Sequence, residues 1–127
     1  MSEAVLQGVR VLLLEDEALI NLATTDMIEE MGCRVTSFMS LEPALTAIRQ
    51  QPPQIAVLDL EIQSSLSYEF AQELHEQAVP IIFLTGYGSP EIEEKWRSFP
   101  ICTKPCGPAE LKALLIKALS TGQDVKG

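Results

Sequence analysis

Four short pieces of this chain place polar or charged side chains where apolar runs end. The acids Glu15, Asp16 and Glu17 follow VRVLLL, Asp59 follows IAVL, Thr85 and Gly86 follow IIFL, and Lys104 with Pro105 follows the short IC. If the runs are strands lying side by side, these residues converge. Three carboxylates brought that close repel one another and raise one another's pKa unless a cation offsets them. An all-oxygen set of this kind suits Mg2+, which takes one or two carboxylates, keeps several waters and holds phosphate oxygens. With the Lys104 ammonium and the Thr85 hydroxyl added, the set contains what phosphoryl transfer to a carboxylate requires. Asp59 is the nucleophile and forms an acyl phosphate. A metal and Lys104 offset charge on the transferring group, and Thr85 hydrogen-bonds one of its oxygens. Taken singly the residues are ordinary: an acidic helix start favoured by the helix dipole, a turn aspartate, a surface lysine. Their joint position at four strand ends carries the inference.

The elements that must position them follow from periodicity. Apolar runs at 9–14, 34–38, 55–58, 81–84 and 101–102 are each followed by a helix-length segment. A helix over 17–31 places Ile20, Ala23, Met27 and Met31 at helical intervals, with Gly32 as its stop. A second, over 40–51, has Ser40 as cap and Pro43 in its first turn, and it ends before Pro52 and Pro53. A third, over 67–78, turns Phe70 and Leu74 inward. A fourth starts at Ser89-Pro90. A fifth starts near Pro108, shows Leu111, Leu114, Leu115, Ala118 and Leu119 on one face and ends near residue 120, before the frayed tail 121–127. Five continuously apolar strands alternating with five helices imply a parallel sheet covered on both faces, a (βα)5 doubly wound α/β domain. Ligands in such folds sit outside the carboxyl ends of the strands, where these residues lie.

The 127 residues suffice for one domain with a single sizeable core, expected over about 8–120. Nine Lys plus Arg against eighteen Asp plus Glu give a formal charge of −9, without a basic stripe, which disfavours nucleic-acid binding. No apolar run approaches a membrane span and the amino terminus lacks a signal pattern, so a cytoplasmic protein is expected. Cys33, Cys102 and Cys106 lack the spacing of a zinc site or a secreted disulfide framework and are read as reduced thiols; a single CxxxC is a weak redox pattern.

VLLLEDE, VLDL, FLTG and TKP, in that order and at those strand ends, resemble the receiver domain of bacterial two-component response regulators over essentially the whole chain. The resemblance implies Glu15 and Asp16 as the acidic pair, Asp16 binding Mg2+ directly and Glu15 through water. It further implies Asp59 as phosphoacceptor, the Glu61 carbonyl as another metal ligand, and Thr85 and Lys104 as switch and phosphate-pairing residues. It implies a strand order of 2-1-3-4-5, a cis Lys104-Pro105 bond, and a histidine kinase or phosphotransfer protein as donor. The output would pass to a downstream protein, with the domain a monomer or a phosphorylation-dependent dimer, and with no output domain, no catalysis beyond its own phosphorylation and dephosphorylation, and no nucleic-acid or membrane partner.

The chain also departs from the pattern. DLEIQSSLSYEF puts Gln63, Ser64 and Ser67 where receivers carry a Pro-Gly turn and a later Gly, which suggests a mobile loop. Ile101 stands at the position of the usual switch aromatic, leaving Tyr87 as a substitute. PIIFLTGYG resembles the PFxFATGY-type signature of alphaproteobacterial single-domain regulators nicknamed FAT GUY, with Ile81 and Leu84 as departures. Trp96, flanked by Lys95 and Arg97, is either a partner anchor or a core residue. His75 in LHEQAVP is a surface helix residue. Two further functions are compatible with parts of the pattern: a receiver-like binding module that is not phosphorylated, and an aspartyl-nucleophile phosphatase. The phosphatase is disfavoured because Glu61 stands where such enzymes carry a second Asp.

Overall fold

The computed structural model describes residues 5–86 and 90–125, with side chains to residue 120. Five strands form one parallel sheet: β1 (Arg10–Leu14), β2 (Arg34–Phe38), β3 (Ile55–Asp59), β4 (Ile81–Thr85) and β5 (Ile101–Thr103). Their order is β2-β1-β3-β4-β5, the doubly wound arrangement expected. β3 lies at the centre and is buried at all five positions, as a strand covered on both faces must be. β2, at the edge, is exposed or half-buried throughout. Alternate residues feed two cores. Leu12, Leu14, Ala56, Leu58, Ile81 and Phe83 face α2 (Leu41–Gln50) and α3 (Tyr68–Glu76). Val11, Leu13, Ile55, Val57, Ile82 and Leu84 face α1 (Ala18–Glu30) and α4 (Pro108–Val125). None of the described helices is long and apolar enough to cross a membrane.

Several expectations are corrected. α1 buries Asn21 and Ile28, while Ile20, Met27 and Met31 are half-buried and Ala23 is exposed. The inward stripe is rotated by one residue because the Asn21 amide donates to the carbonyls of Glu15 (2.9 Å) and Phe38 (3.3 Å) at the ends of β1 and β2. Gly32 does end the helix, at φ 101°, where its missing Cβ removes the left-handed penalty. α4 continues past the expected end, to Val125.

The expected fourth helix is replaced, among the described residues, by a single 3-10 turn, Glu94–Trp96; Ser89 and Tyr87 lie outside the described residues. Pro100 disfavours helix at Phe99, and Trp96 is drawn into the aromatic cluster with Phe83 and Phe99. Glu93 is extended instead, its amide donating to the Tyr68 hydroxyl at 2.8 Å. Trp96 fills the space beneath, with ring centroids 4.9 Å from Phe99, 5.7 Å from Phe83 and 6.1 Å from Tyr68. At 2% exposure Trp96 is a core residue, not a partner anchor. Lys95, bonded to Gln72 and 5.1 Å from the indole centroid, and Arg97 remain on the surface. His75 is exposed, as expected.

The segment expected to be a mobile loop is a hairpin, Glu61–Ile62 paired antiparallel with Ser65–Leu66. Its two turn residues, Gln63 (φ 51°) and Ser64 (φ 69°), both occupy the left-handed region that a two-residue hairpin turn demands. Neither is glycine, so each carries backbone strain. Ser64→Gly relieves it at one position and is expected to raise stability by about 0.5–1 kcal/mol, read as an upward shift in thermal midpoint. An unchanged or lowered midpoint would contradict the strained turn.

Candidate functional site

The carboxyl ends of β1, β3, β4 and β5 meet at a cleft of about 760 Å³ whose lining includes Asp16, Asp59, Glu61, Lys104 and Cys106. β3 carries Asp59 out of the core still 96% buried, and Glu15, just past β1, is wholly buried. Unpaired, such charges would be costly. Lys104 pairs them both. Its Nζ lies 2.9 Å from Asp59 Oδ2 and 3.1 Å from Glu15 Oε1, with Glu17 Oε1 at 4.0 Å. The Lys104 amide is fixed to the Thr85 carbonyl at 2.8 Å, and the Lys104-Pro105 bond is cis, as the family resemblance implies.

Backbone groups complete the pocket. The Glu17 amide donates to Glu15 Oε2 at 2.9 Å and the Glu61 amide to Asp59 Oδ1 at 3.3 Å. Asp16, half-buried, accepts the Gln63 amide at 2.7 Å, so the hairpin tip reaches across to the end of β1. Thr85 sits one residue beyond Leu84, the register partner of Asp59. Ile101 is half-buried against the aromatic core rather than exposed at the cleft.

Two positioning residues escaped sequence reasoning. Ser67, noted only as a departure from pattern, is fully buried, and its hydroxyl donates to the carbonyls of Asp59 (2.8 Å) and Leu60 (3.2 Å). It ties the start of α3 to the strand end that presents the nucleophile. Asn21 does the equivalent for Glu15 through the bonds that rotate α1. The available signal was one polar residue seven positions before Ile28, on the same helix face.

A further correction concerns the thiols. Cys102 and Cys106 are joined in a disulfide with Cα atoms 5.9 Å apart, and only Cys33 is free among the described cysteines. The strand end and the turn after cis-Pro105 bring the two sulfurs together, a proximity that linear spacing does not reveal.

Oxygen atoms of Glu15, Asp16 and Asp59 lie within 4.8 Å of one another. With Lys104 as the adjacent cation, three carboxylates leave a formal deficit of two positive charges. Hard oxygen donors with that deficit fit a divalent cation such as Mg2+. The electrostatics agree. Burial, the largest influence, and the charge of Asp59 hold the Glu15 carboxyl above its ordinary range, against the Glu17 amide and Lys104, which pull it down. For Lys104, burial pulls downward most strongly of any single influence, yet hydrogen bonds and charges from Asp59 and Glu15 together raise it, so it stays an ammonium at neutral pH.

The family model for the response regulator receiver domain matches residues 11–116, and the chain belongs to that family of two-component signalling modules. The probable transcriptional regulator ycf27 of Pyropia yezoensis is 30% identical over 119 residues, covering 89% of this chain and 48% of that protein. The chain thus spans about half the length of the curated relatives it matches first. Among solved structures, the response regulator PhyR from Brucella abortus superposes with a TM-score of 0.79 at 26% identity, covering 98% of this chain and 53% of that one. SdrG from Sphingomonas melonis Fr1 gives 0.80 at 23% identity, covering 89% and 97%, a likeness of fold alone.

Because folding raises the Glu15 pKa, its proton is held more tightly in the native state. The associated stability is complete below the ordinary value of 4.5 and is lost as pH rises through the raised one. Glu15→Gln keeps the shape without titrating. In chelator, wild-type protein should lose more thermal stability than this variant between about pH 5 and neutrality. Parallel curves would show that the surroundings do not raise the affinity of Glu15 for its proton.

Proposed function

We propose that Asp59 is the phosphoacceptor of a switch that takes a phosphoryl group from a histidine kinase or phosphotransfer protein and signals through a changed protein surface. The observation that supports this most directly is the half-buried Lys104 ammonium held between the buried Asp59 and Glu15, at 2.9 and 3.1 Å. A carboxylate oxygen of Asp59 forms the new O–P bond while the donor's P–N bond breaks and its imidazole leaves. Lys104 then pairs with the phosphoryl oxygens, and the Glu61 amide holds the other side of Asp59. Glu15, Asp16, Asp59 and the Glu61 carbonyl are the groups that would hold Mg2+, which when bound supplies electrostatic stabilisation of the phosphoryl oxygens.

The Thr85 hydroxyl follows the phosphoryl group. Its carbonyl is bonded to the Lys104 amide, so a shift of β4 reaches β5 directly. Ile101, packed against the aromatic core, takes up that shift in place of the usual aromatic. The exposed Lys95 and Arg97 belong to the surface that a downstream protein reads. In this reading the domain catalyses its own modification and turns over no other substrate.

Labelling with a small phosphodonor in Mg2+ should modify wild-type protein once, and Asp59→Ala not at all, while Lys104→Ala should slow labelling by about 10²-fold. Label that survives in Asp59→Ala overturns the assignment. One contact favours a second reading, a binding module that is not phosphorylated: Asp16 Oδ2 is already engaged by the Gln63 amide. Amide NMR spectra unchanged by Mg2+ with a beryllium fluoride phosphate mimic would select it.

A further inference from the structure

The cleft that contains Asp59 and Lys104 is also lined by Cys106, whose sulfur is bonded to Cys102. The bridge encloses three residues, Thr103, Lys104 and Pro105. Lys104 is thus held at two points, by strand pairing on the Thr103 side and by the disulfide on the Pro105 side. The two sulfurs differ in access. Cys102 is wholly buried beside Leu84, its register partner, whereas Cys106 is half-buried at the cleft wall.

We propose that the Cys102–Cys106 pair is a thiol–disulfide exchange site, open to a thiol reductant through the cleft, whose redox state sets the position of Lys104. The consequence for Asp59 phosphorylation rests on the phosphoacceptor reading above. A thiolate of the reductant attacks the accessible Cys106 sulfur. The protein S–S bond breaks, Cys102 leaves with the electron pair and takes a proton, and a mixed disulfide links Cys106 to the reductant. A second reductant thiol then attacks that mixed disulfide on the reductant's sulfur. Cys106 is released as a thiol and the reductant departs as its own disulfide. Two electrons and two protons pass to the protein, and a disulfide of the same chemical class reverses the reaction.

The geometry explains why this matters to the site. The Nζ contacts to Asp59 and Glu15 are made from a side chain whose backbone lies inside the closed ring. Opening the ring leaves strand pairing and the Thr85 bond on one side and only the start of α4 on the other. The ammonium then samples positions away from the two carboxylates, and misplacing a charge-stabilising group by about 1 Å is enough to cost up to 10²-fold in rate. Cys33 supplies an internal control, since it is buried and bonded to no other cysteine.

The experiment uses the full chain, oxidised or treated with dithiothreitol, and follows three readouts. These are thiol alkylation of the native protein by mass spectrometry, the Lys104 amide and ammonium signals by NMR, and the rate of Mg2+-dependent Asp59 labelling. Dithiothreitol should make Cys106, but not Cys33, open to alkylation, shift the Lys104 signals and slow labelling roughly 3- to 10-fold. Cys106→Ala should match the reduced form under both conditions. Lys104 signals that do not move with redox state, or a Cys106→Ala variant that still responds to dithiothreitol, would overturn the proposal. Shifted Lys104 signals without Asp59 labelling in either state would support the exchange site and its control of Lys104 while rejecting the phosphoacceptor. Normal labelling with unmoved Lys104 would do the opposite.

Discussion

A single ammonium group makes the rest of this site possible. Glu15 and Asp59 are both buried, at the ends of adjacent strands, and each would oppose folding if the other were its only charged neighbour. Lys104 arrives from the far edge of the sheet to lie between them. Its side chain reaches there because β5 is paired with β4 and stops where its next residue is Lys104. The strand order is therefore more than a description of the sheet. With β5 elsewhere, two buried carboxylates would lack a partner and the central strand could not carry an acid at its end.

Around that trio, neutral groups do the aiming. Ser67 and Asn21 each spend their side-chain hydrogens on backbone carbonyls, one at the Asp59 end of β3 and the other at the Glu15 end of β1. Neither touches a carboxylate oxygen, yet each helps determine where one points. The hairpin after β3 has a similar role at Asp16, through the amide of a residue held in the left-handed region. Rigid elements carry the acids, and short polar contacts at the strand ends trim their direction.

Much of this was legible in the sequence because strand ends and apolar runs are local signals. VRVLLL, IAVL and IIFL could hardly be anything but interior strands, and the polar residues that follow them had to emerge on one rim. The remaining features depended on pairings between distant residues. The Trp96 site exists only because Phe83, Tyr68 and Phe99 surround it, and in the segment that Ser89-Pro90 opens it looked like part of a helix. The hairpin was concealed because Gln63 and Ser64 are poor residues for the turn they form. The inward face of α1 was misjudged because a polar side chain, Asn21, belongs to it. The disulfide needed the turn after Lys104 to fold back on the strand that precedes it.

The aromatic plug under the β4–β5 connection separates two kinds of constraint. One indole anchors that connection, while Glu91, Glu93, Glu94, Lys95, Arg97 and Ser98 all face solvent. Apart from Lys95, which bonds Gln72 and lies over the indole, their identities are almost free of packing requirements, whereas those of the strand-end residues are not. Over evolutionary time such a segment can exchange charge and shape quickly while the chemistry a strand away stays the same. Paralogues built on this plan would be expected to diverge first in whom they address, and last in how they are switched.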